Sequence, residues 1–173
     1  MKRVLSTVCC LALCSIPVLA QKKAAPMSDQ QFVTLAAQTD LVEANLGQLA
    51  QNAASSQAVK DYGQMLETDH TASYQKLWSL AAQANVTVPG AIDSQNNKAV
   101  IGPMNKLTGK AFDRRFIQDM IAGHTKAIAA FKKEADDATN PAIKSYAQDT
   151  IPVLQKHLDD AKAIEQGKTP ANM

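Results

Sequence analysis

Four long stretches of this sequence carry apolar side chains at every third or fourth position. That spacing predicts amphipathic helices that each bury one face, whereas strands would alternate at every second position. The helices are expected to begin near Ser28, Ser56, Lys110 and Asn140. The expected core-facing residues include Phe32, Leu35, Leu46, Val59, Leu66, Leu77, Phe116, Ile128, Phe131, Leu154 and Ala161. The predicted fold class is therefore all-α.

Polar residues with capping preferences mark several of the helix ends. Ser28 and Gln31 have the spacing of a capping box, in which each side chain bonds the backbone amide of the other residue. Ser56 is suited to cap the second helix. Asn140 followed by Pro141 is suited to cap and open the fourth helix. These residues predict where three of the four helices start.

The chain between residues 85 and 109 lacks the pattern of the long helices. The residues before Pro89 should be extended, because a residue that precedes proline avoids the helical region. Gly102-Pro103 should interrupt the remainder of this segment, so at most one short helix fits there. Residues 85–109 are therefore predicted to form a crossover between two halves of the chain.

The two halves are related by an internal repeat. A shift of 84 positions superimposes residues 29–33 on 113–117 and residues 58–64 on 142–148, with similar side chains in both places. A single offset thus relates a helix, a turn and the next helix in both halves. The domain predicted for residues 28–167 therefore consists of two related helical hairpins.

These hairpins, residues 28–84 and 110–167, predict an antiparallel four-helix bundle. A helix of about 25 residues is about 38 Å long, and a crossover of about 25 residues can run that full length. Two hairpins joined by one long crossover form the ferritin-like topology, and simple up-down-up-down packing is the alternative. A flexible leader at residues 21–27 and a disordered tail at residues 168–173 would flank the bundle.

Residues 1–20 have the composition of a secretory signal peptide. Lys2 and Arg3 precede an apolar, uncharged run that ends in a small-residue cleavage pattern at Ala20. The run is shorter than the ~20 residues that span a bilayer as a helix. We expect cleavage near Ala20 and a mature chain without a transmembrane segment, located in the periplasm, secreted or associated with the outer membrane. An uncleaved N-terminal anchor is the alternative.

Composition narrows the chemistry of the mature chain. Cys9, Cys10 and Cys14 all lie in the predicted signal peptide, which excludes a disulfide, a thiolate metal site or a nucleophilic thiol after cleavage. Removing Lys2 and Arg3 from the 18 basic residues leaves 16, equal to the 16 acidic residues. An evenly charged surface offers no electrostatic footprint for nucleic acid, so no nucleic-acid partner is expected.

Three histidines are the strongest candidates for chemistry, because each lies on the apolar face of its own helix. Glu43 and His70 are at similar distances from the first hairpin turn, and His124 and His157 are at similar distances from the second. All four should lie at mid-bundle, with Asp69 beside His70. Imidazole and carboxylate groups that converge in a bundle suit one transition-metal ion such as Zn, Fe, Mn or Cu. The predicted metal ligands are Glu43, Asp69, His70, His124 and His157.

Other interpretations compete with a metal site. The histidines could be core residues bonded to Asp69, Tyr74, Thr150 or a carbonyl freed by Pro152. The protein would then be a purely structural or partner-binding envelope bundle. A metal-dependent oxidase is a third interpretation, although the sequence identifies no catalytic residue.

A di-iron centre is disfavoured by the repeat. Glu67 and His70 match the Glu-x-x-His spacing of di-iron bundles. The corresponding positions of the second half hold Ile151 and Leu154, which cannot ligate a metal. A symmetric di-iron centre is therefore not expected.

Short motifs also carry a family resemblance. They are Asp69-His70 after an apolar helix, Phe112-Asp113 at the start of the third helix, His124 within it, and Ile-Pro152-x-Leu-x-x-His157-Leu in the fourth. Together they resemble the bacterial domain-of-unknown-function family 4142 over roughly residues 28–166. The resemblance implies a ferritin-like fold and an exported protein of the envelope, often described as an outer-membrane protein, and implies no established activity. It also places the family's motif carboxylates and histidines on the five predicted ligands.

Overall fold

The computed structural model describes residues 26–170, whose regular structure is all helical. Its elements are, in chain order, α1 (Asp29–Ala53), α2 (Gln57–Ala84), α3 (Ser94–Asn96), a π-helical turn (Asn97–Ile101), α4 (Gly102–Met104), α5 (Gly109–Asp137) and α6 (Pro141–Glu165). Among residues 26–170 there is no helix long and apolar enough to cross a membrane. The predicted signal peptide lies outside the described residues, as do most of the predicted leader and the end of the predicted tail.

Two of the predicted capping arrangements are confirmed. At the start of α1 the Gln31 amide donates to Ser28 Oγ (3.3 Å) and the Ser28 amide donates to Gln31 Oε1 (2.9 Å). At the start of α6, Asn140 Oδ1 accepts from the amides of Ala142 (2.9 Å) and Ile143 (3.4 Å). The first turn of a helix leaves its amides without intrahelical partners, and a cap of this kind typically contributes about 1 kcal/mol.

The prediction that the Ser56 side chain caps α2 is wrong. Ser56 occupies the N-cap position, but its side chain makes no capping bond within the described part of the chain. Instead, the Asp113 carboxylate of α5 accepts from the amides of Ser55 (2.9 Å) and Ser56 (3.1 Å) and from the Ser55 hydroxyl. A negative charge at a helix N-terminus also interacts favourably with the helix dipole. Asp113 thereby ties the second hairpin to the turn of the first.

The location of this contact decides the bundle topology. Because α5 begins beside the α1–α2 turn and α2 ends a full helix length away, the crossover runs along the whole bundle. At the far end, Phe32 of α1 packs against Phe131 of α5 and Tyr146 of α6, with ring centroids 5.0 and 6.3 Å apart. In up-down-up-down packing α5 would begin beside the end of α2. The ferritin-like arrangement of two hairpins and one long crossover is therefore confirmed.

The crossover differs from its prediction at Gly102-Pro103. The chain stays helical from Ser94 to Met104, and the Gly102 amide donates to the Asn97 carbonyl across the π-helical turn. In a regular helix a proline ring clashes with the carbonyl four residues earlier. The wider π turn directly before Pro103 gives the ring room, so the helix is not interrupted.

Two apolar clusters fill the bundle, one on each side of its midpoint. The cluster nearer the start of α1 includes Phe32, Leu77, Ile128, Phe131 and Leu154. The cluster nearer the α1–α2 turn includes Leu46, Val59, Leu66, Phe116 and Ala161. Leu35, which was expected to face the core, is instead 38 % exposed, whereas Ala36 and Ala37 beside it are buried. The other residues named above as core-facing are buried.

Candidate metal centre

A layer of polar side chains crosses the middle of the bundle between the two apolar clusters. Its buried members are Asp40, Glu43, His70, His124 and His157. Asp69 lies at the edge of the layer, with its side chain 39 % exposed. Burying polar and charged groups is costly unless they find partners, so the contacts within this layer reveal what it is suited to do.

His70 of α2 lies between two carboxylates of α1. Its Nδ1 donates to Asp40 Oδ1 (2.8 Å), and its Nε2 is 3.2 Å from Glu43 Oε2. Asp40 and Glu43 are three positions apart and so share one face of α1. The Tyr146 hydroxyl also donates to Asp40 Oδ2 (3.5 Å), and it is 2.7 Å from the Ser73 hydroxyl. The first hairpin therefore positions both ring nitrogens of His70.

His124 of α5 and His157 of α6 face each other within the second hairpin. His124 Nδ1 donates to the Met120 carbonyl (3.0 Å), and His157 Nε2 donates to Asp69 Oδ2 (2.9 Å). A neutral imidazole has one donor and one acceptor nitrogen, so the other nitrogen of each ring carries a lone pair. These two nitrogens are 3.2 Å apart, and His124 Nε2 is also 3.3 Å from Glu43 Oε2.

The three histidines differ in pKa. Burial lowers the pKa of His124, and burial together with the positive charge of His70 lowers the pKa of His157 to about 4. Burial also acts to lower the pKa of His70, but Glu43 and Asp40 outweigh it and raise that pKa to about 10. At neutral pH, His124 and His157 are therefore neutral. His70 carries a proton on both ring nitrogens, and its positive charge lies between two carboxylates.

Glu43 is the carboxylate at the centre of the layer. Burial acts to raise its pKa, but His124 and His70 outweigh burial and lower the pKa to about 2. Burial raises the pKa of Asp40 in spite of its hydrogen bond with His70. Glu43 Oε2 and His70 Nε2 are both buried, and neither has a hydrogen bond among residues 26–170. The two atoms lie 3.2 Å apart as an ion pair, so a metal ion here would take the place of the proton on His70 Nε2.

The geometry fits a single transition-metal ion. Each of the three histidines offers a ligand atom within 4.8 Å of the others. Two nitrogen ligands bound at ~2.0–2.1 Å to a tetrahedral ion lie about 3.4 Å apart. The neighbouring separations around the centre are 3.2 Å, 3.2 Å and 3.3 Å. The outward N–H of each imidazole bonds a carboxylate or a carbonyl, which is how proteins orient ligating histidines. The candidate ligand atoms are His70 Nε2, His124 Nε2 and His157 Nδ1, with Glu43 Oε2 beside the first two.

The structure brings all five predicted ligands into this layer, in two different positions. Four of them face the centre, whereas Asp69 faces outward and orients His157. Of the side chains considered as partners for core histidines, only Asp69 forms a hydrogen bond with one within the described chain. The Tyr74 hydroxyl donates to the Pro89 carbonyl (2.7 Å), and the Thr150 hydroxyl donates to the carbonyl of Tyr146 (2.7 Å).

Two other carboxylates of the first hairpin, Asp40 and Glu67, differ in whether they belong to the polar layer. Asp40 is absent from the predicted ligand set, although its spacing of three residues from Glu43 on one helix face was a usable signal. Glu67 lies away from the centre, because its Oε2 accepts from Gln51 Nε2 (2.6 Å). The Glu-x-x-His spacing at Glu67 therefore does not contribute to this site.

Comparisons with known proteins agree with this architecture. The sequence profile of a family described as "Domain of unknown function (DUF4142)" matches residues 16–164. Among solved structures, CopM in its Cu(II)-bound form is similar with a TM-score of 0.70 and 16 % identity, over 83 % of this chain and 99 % of that chain. The Cu(I)-bound and Ag-bound forms of CopM are similar with TM-scores of 0.65 and 0.63, each at 18 % identity, over 82 % of this chain and 97 % of theirs. No curated protein matches. At these identities the likeness to CopM shows the fold alone.

Proposed function

This chain belongs to the DUF4142 family of domains of unknown function, and we propose that it is an exported envelope protein that binds one transition-metal ion at the centre of its bundle. The proposed ligands are His70, His124, His157 and Glu43. Two aspartates orient the imidazoles of His70 and His157 from outside the ligand set. The ion would join side chains from both hairpins.

The observation that supports this proposal most strongly is the direction of the ring nitrogens. His124 Nε2 and His157 Nδ1 present lone pairs to one point, because their other nitrogens donate outward. His70 offers a ring nitrogen within 4.8 Å of those of the other two histidines, and Glu43 Oε2 lies 3.2 Å from His70 Nε2 and 3.3 Å from His124 Nε2. Among the described residues, no donor lies between the facing lone pairs of His124 and His157, and a buried polar atom left unpaired costs about 1–3 kcal/mol. A bound cation would satisfy both lone pairs and would also interact with the Glu43 carboxylate beside them.

The ligand chemistry favours a transition metal with borderline or soft character. Imidazole suits Zn, Cu, Fe and Ni ions, whereas Ca and Mg prefer sites built from oxygen. The structurally similar CopM chains are described as Cu(I)-, Cu(II)- and Ag-bound forms. That likeness supports testing copper first, followed by Zn, Fe and Mn.

Export is supported by the signal-peptide composition of residues 1–20. We propose that the protein acts in the periplasm or at the envelope after cleavage near Ala20. Mass spectrometry of the exported protein should show Gln21 as its first residue. An intact N-terminus would instead support a membrane-anchored form.

Metal analysis of protein purified from the periplasm tests the proposal directly. We expect about one ion per chain, retained through gel filtration and removed by a strong chelator. Glu43→Gln should weaken binding, whereas Glu67→Gln changes a carboxylate outside the layer and should leave binding unchanged. If neither the purified protein nor the chelator-treated protein with added Cu, Zn, Fe or Mn holds stoichiometric metal, the histidines belong to a structural bundle.

Stability offers a second and independent readout. Free metal at a hundredfold excess over its dissociation constant should add about 2.7 kcal/mol to the free energy of unfolding. His124→Ala removes one ligand and should abolish this gain. Thermal melting with metal and with chelator would measure the difference for both proteins. Equal melting temperatures of the wild type under the two conditions would contradict a bound ion.

A further inference from the structure

A groove between α1 and α5 runs from the surface to the polar layer. It encloses about 480 Å³, and its walls include Val42 and Glu43 of α1, Gly123 and Ala127 of α5, and Ala99 of the π-helical turn. A cation with six waters needs roughly 200 Å³ if each water takes about 30 Å³. The groove therefore has room for a hydrated metal ion.

Gly123 lies in the wall of this groove beside Glu43. A Cβ atom at position 123 would lie 3.4 Å from Glu43 Oε1, so a larger side chain there would cover that oxygen. The other carboxylate oxygen, Glu43 Oε2, lies 3.2 Å from His70 Nε2 and 3.3 Å from His124 Nε2. Glu43 thus has one oxygen toward the groove and one toward the converging nitrogens.

The charges of the groove do not select for cations at its mouth. Its described charged side chains are Glu43, Lys126 and the ion pair of Arg115 with Asp119 (2.8 Å). These charges sum to about zero, so long-range attraction is weak. The absence of a side chain at Gly123 leaves space in front of Glu43 Oε1 on this wall.

A second opening lies on the opposite side of the bundle, between α2 and α6. This cleft encloses about 310 Å³ and is lined by Asp69, Ala72, Ser73 and Tyr146 among others. The His157 ring stands between Asp69 and the centre, because Asp69 bonds Nε2 whereas the lone pair is on Nδ1. Ser73 and Tyr146, which both line the cleft, are hydrogen-bonded to each other through their hydroxyl groups (2.7 Å).

We propose that the metal ion enters and leaves through the α1–α5 groove, with Gly123 as the opening and Glu43 as the first ligand that the ion meets. This inference rests on the proposed metal-binding function. Because the opening affects passage in both directions, closing it should slow loading and release together. The equilibrium affinity depends on the ligands, which stay unchanged, and should stay nearly constant.

Zn²⁺ transfer kinetics with the full-length protein test the route. Loading is followed by stopped flow after mixing chelator-treated protein with Zn²⁺, and release by transfer of Zn²⁺ from loaded protein to an excess of a chelating dye. Gly123→Val should slow both rates about tenfold or more, while the dissociation constant changes by less than about threefold. Gly123→Ala should have a small effect, because its Cβ makes an ordinary contact. Ala72→Val, on the cleft, is the matched control and should leave both rates unchanged.

The outcomes separate the route from the function. If Gly123→Val loses its cooperative melting, Ala127→Leu on the same groove wall replaces it and should give the same slowing. Unchanged rates in a folded variant that still binds Zn²⁺ would overturn the groove as the entry route. Slower rates in Ala72→Val would assign entry to the cleft. Failure of the wild-type protein to bind any of the Cu, Zn, Fe and Mn ions would overturn the proposed function itself.

Discussion

The two helical hairpins share one repeat and one framework, yet they supply different chemistry to the polar layer. Among the described residues, the first hairpin provides the carboxylates of the layer and one imidazole, His70. The second provides the other two imidazoles, His124 and His157. Acid groups from one half therefore meet neutral bases from the other at the bundle axis. A symmetric framework here carries an asymmetric centre that neither hairpin could form alone.

The repeat shows where the two halves differ. The 84-residue shift aligns Asp40 with His124, Ser73 with His157, and His70 with Leu154. Each pair occupies an equivalent inward position on its helix, so the backbone is shared and only the side chain changes.

The hairpins also differ in how closely their helices approach. In the first hairpin, a Cβ atom on Gly63 would lie 2.8 Å from the Gly47 carbonyl oxygen and 2.7 Å from the Ala50 Cβ. The repeat counterparts of Gly47 and Gly63 are Phe131 and Ala147, which are buried side chains in the second hairpin. Glycine in mid-helix costs about 1 kcal/mol relative to alanine, so close packing of α1 on α2 offsets that cost.

The variant His70→Leu should have the largest effect on stability. It places in the first hairpin the leucine that the second hairpin has at the equivalent position, Leu154. Asp40 and Glu43 would lose their shared imidazole while remaining buried, and breaking a buried charge pair costs about 3–5 kcal/mol. Urea unfolding in the presence of chelator measures this loss without any metal contribution. Asp69→Asn, at the half-exposed edge, should cost no more than about 1 kcal/mol. Equal costs for the two variants would contradict the distinction between centre and edge.

Truncation of the apolar clusters should affect the two hairpins alike. Leu66→Ala in the first and Ile128→Ala in the second should each lower the free energy of unfolding by about 2–5 kcal/mol, the range for large-to-small changes in a core. Denaturant titration of both variants gives the comparison. Losses below about 1 kcal/mol at both positions would mean that these side chains do not form the core.

A methyl group at the glycine contact should affect only the first hairpin. Gly47→Ala should destabilise the protein by about 1–3 kcal/mol, because its Cβ would overlap backbone atoms of α2 and force the helices apart. This loss opposes the gain in helix propensity from alanine. Gly90→Ala is the control, since apart from Gly90 and its two chain neighbours no described atom lies within 4 Å of its Cβ position. A Gly47→Ala protein as stable as the control would show that α1 and α2 can separate freely.

The smallest expected effect is the change of metal affinity with each pH unit. Burial acts to lower the pKa of His70, but Glu43 and Asp40 raise it to about 10, so an incoming ion must displace one proton at neutral pH. His157, with a pKa of about 4, has no such proton to lose. Affinity should therefore rise about tenfold, or ~1.4 kcal/mol, per pH unit and level off near the pKa of His70.

Calorimetry in buffers with different ionisation enthalpies counts the protons released on binding. We expect about one per ion between pH 6 and pH 9. Release of no proton would mean that His70 is neutral or does not ligate. Release of several would mean that His124 and His157 are also protonated before binding.

The sequence by itself determined the features that depend on neighbours within a few turns of helix. Apolar periodicity and the caps at Ser28 and Asn140 predicted the helices, because these interactions are local. The repeat and the length of the crossover predicted two hairpins in a ferritin-like order. Counting residues from each hairpin turn placed His124 opposite His157, since antiparallel helices of equal rise fix the axial height of a residue.

Only the tertiary structure decided the features that depend on the rotation of each helix about its axis and on contacts between distant segments. A helix turns by about 100° per residue, so a small rotation separates the exposed Leu35 from the buried Ala36. The contact of Asp113 with Ser55 joins residues that periodicity cannot relate. The hydrogen bonds of Asp40 with His70 and of Asp69 with His157 also join residues on different helices, which periodicity along one helix cannot relate. Which nitrogen of each ring points inward follows from those bonds, because the outward donor fixes the inward lone pair.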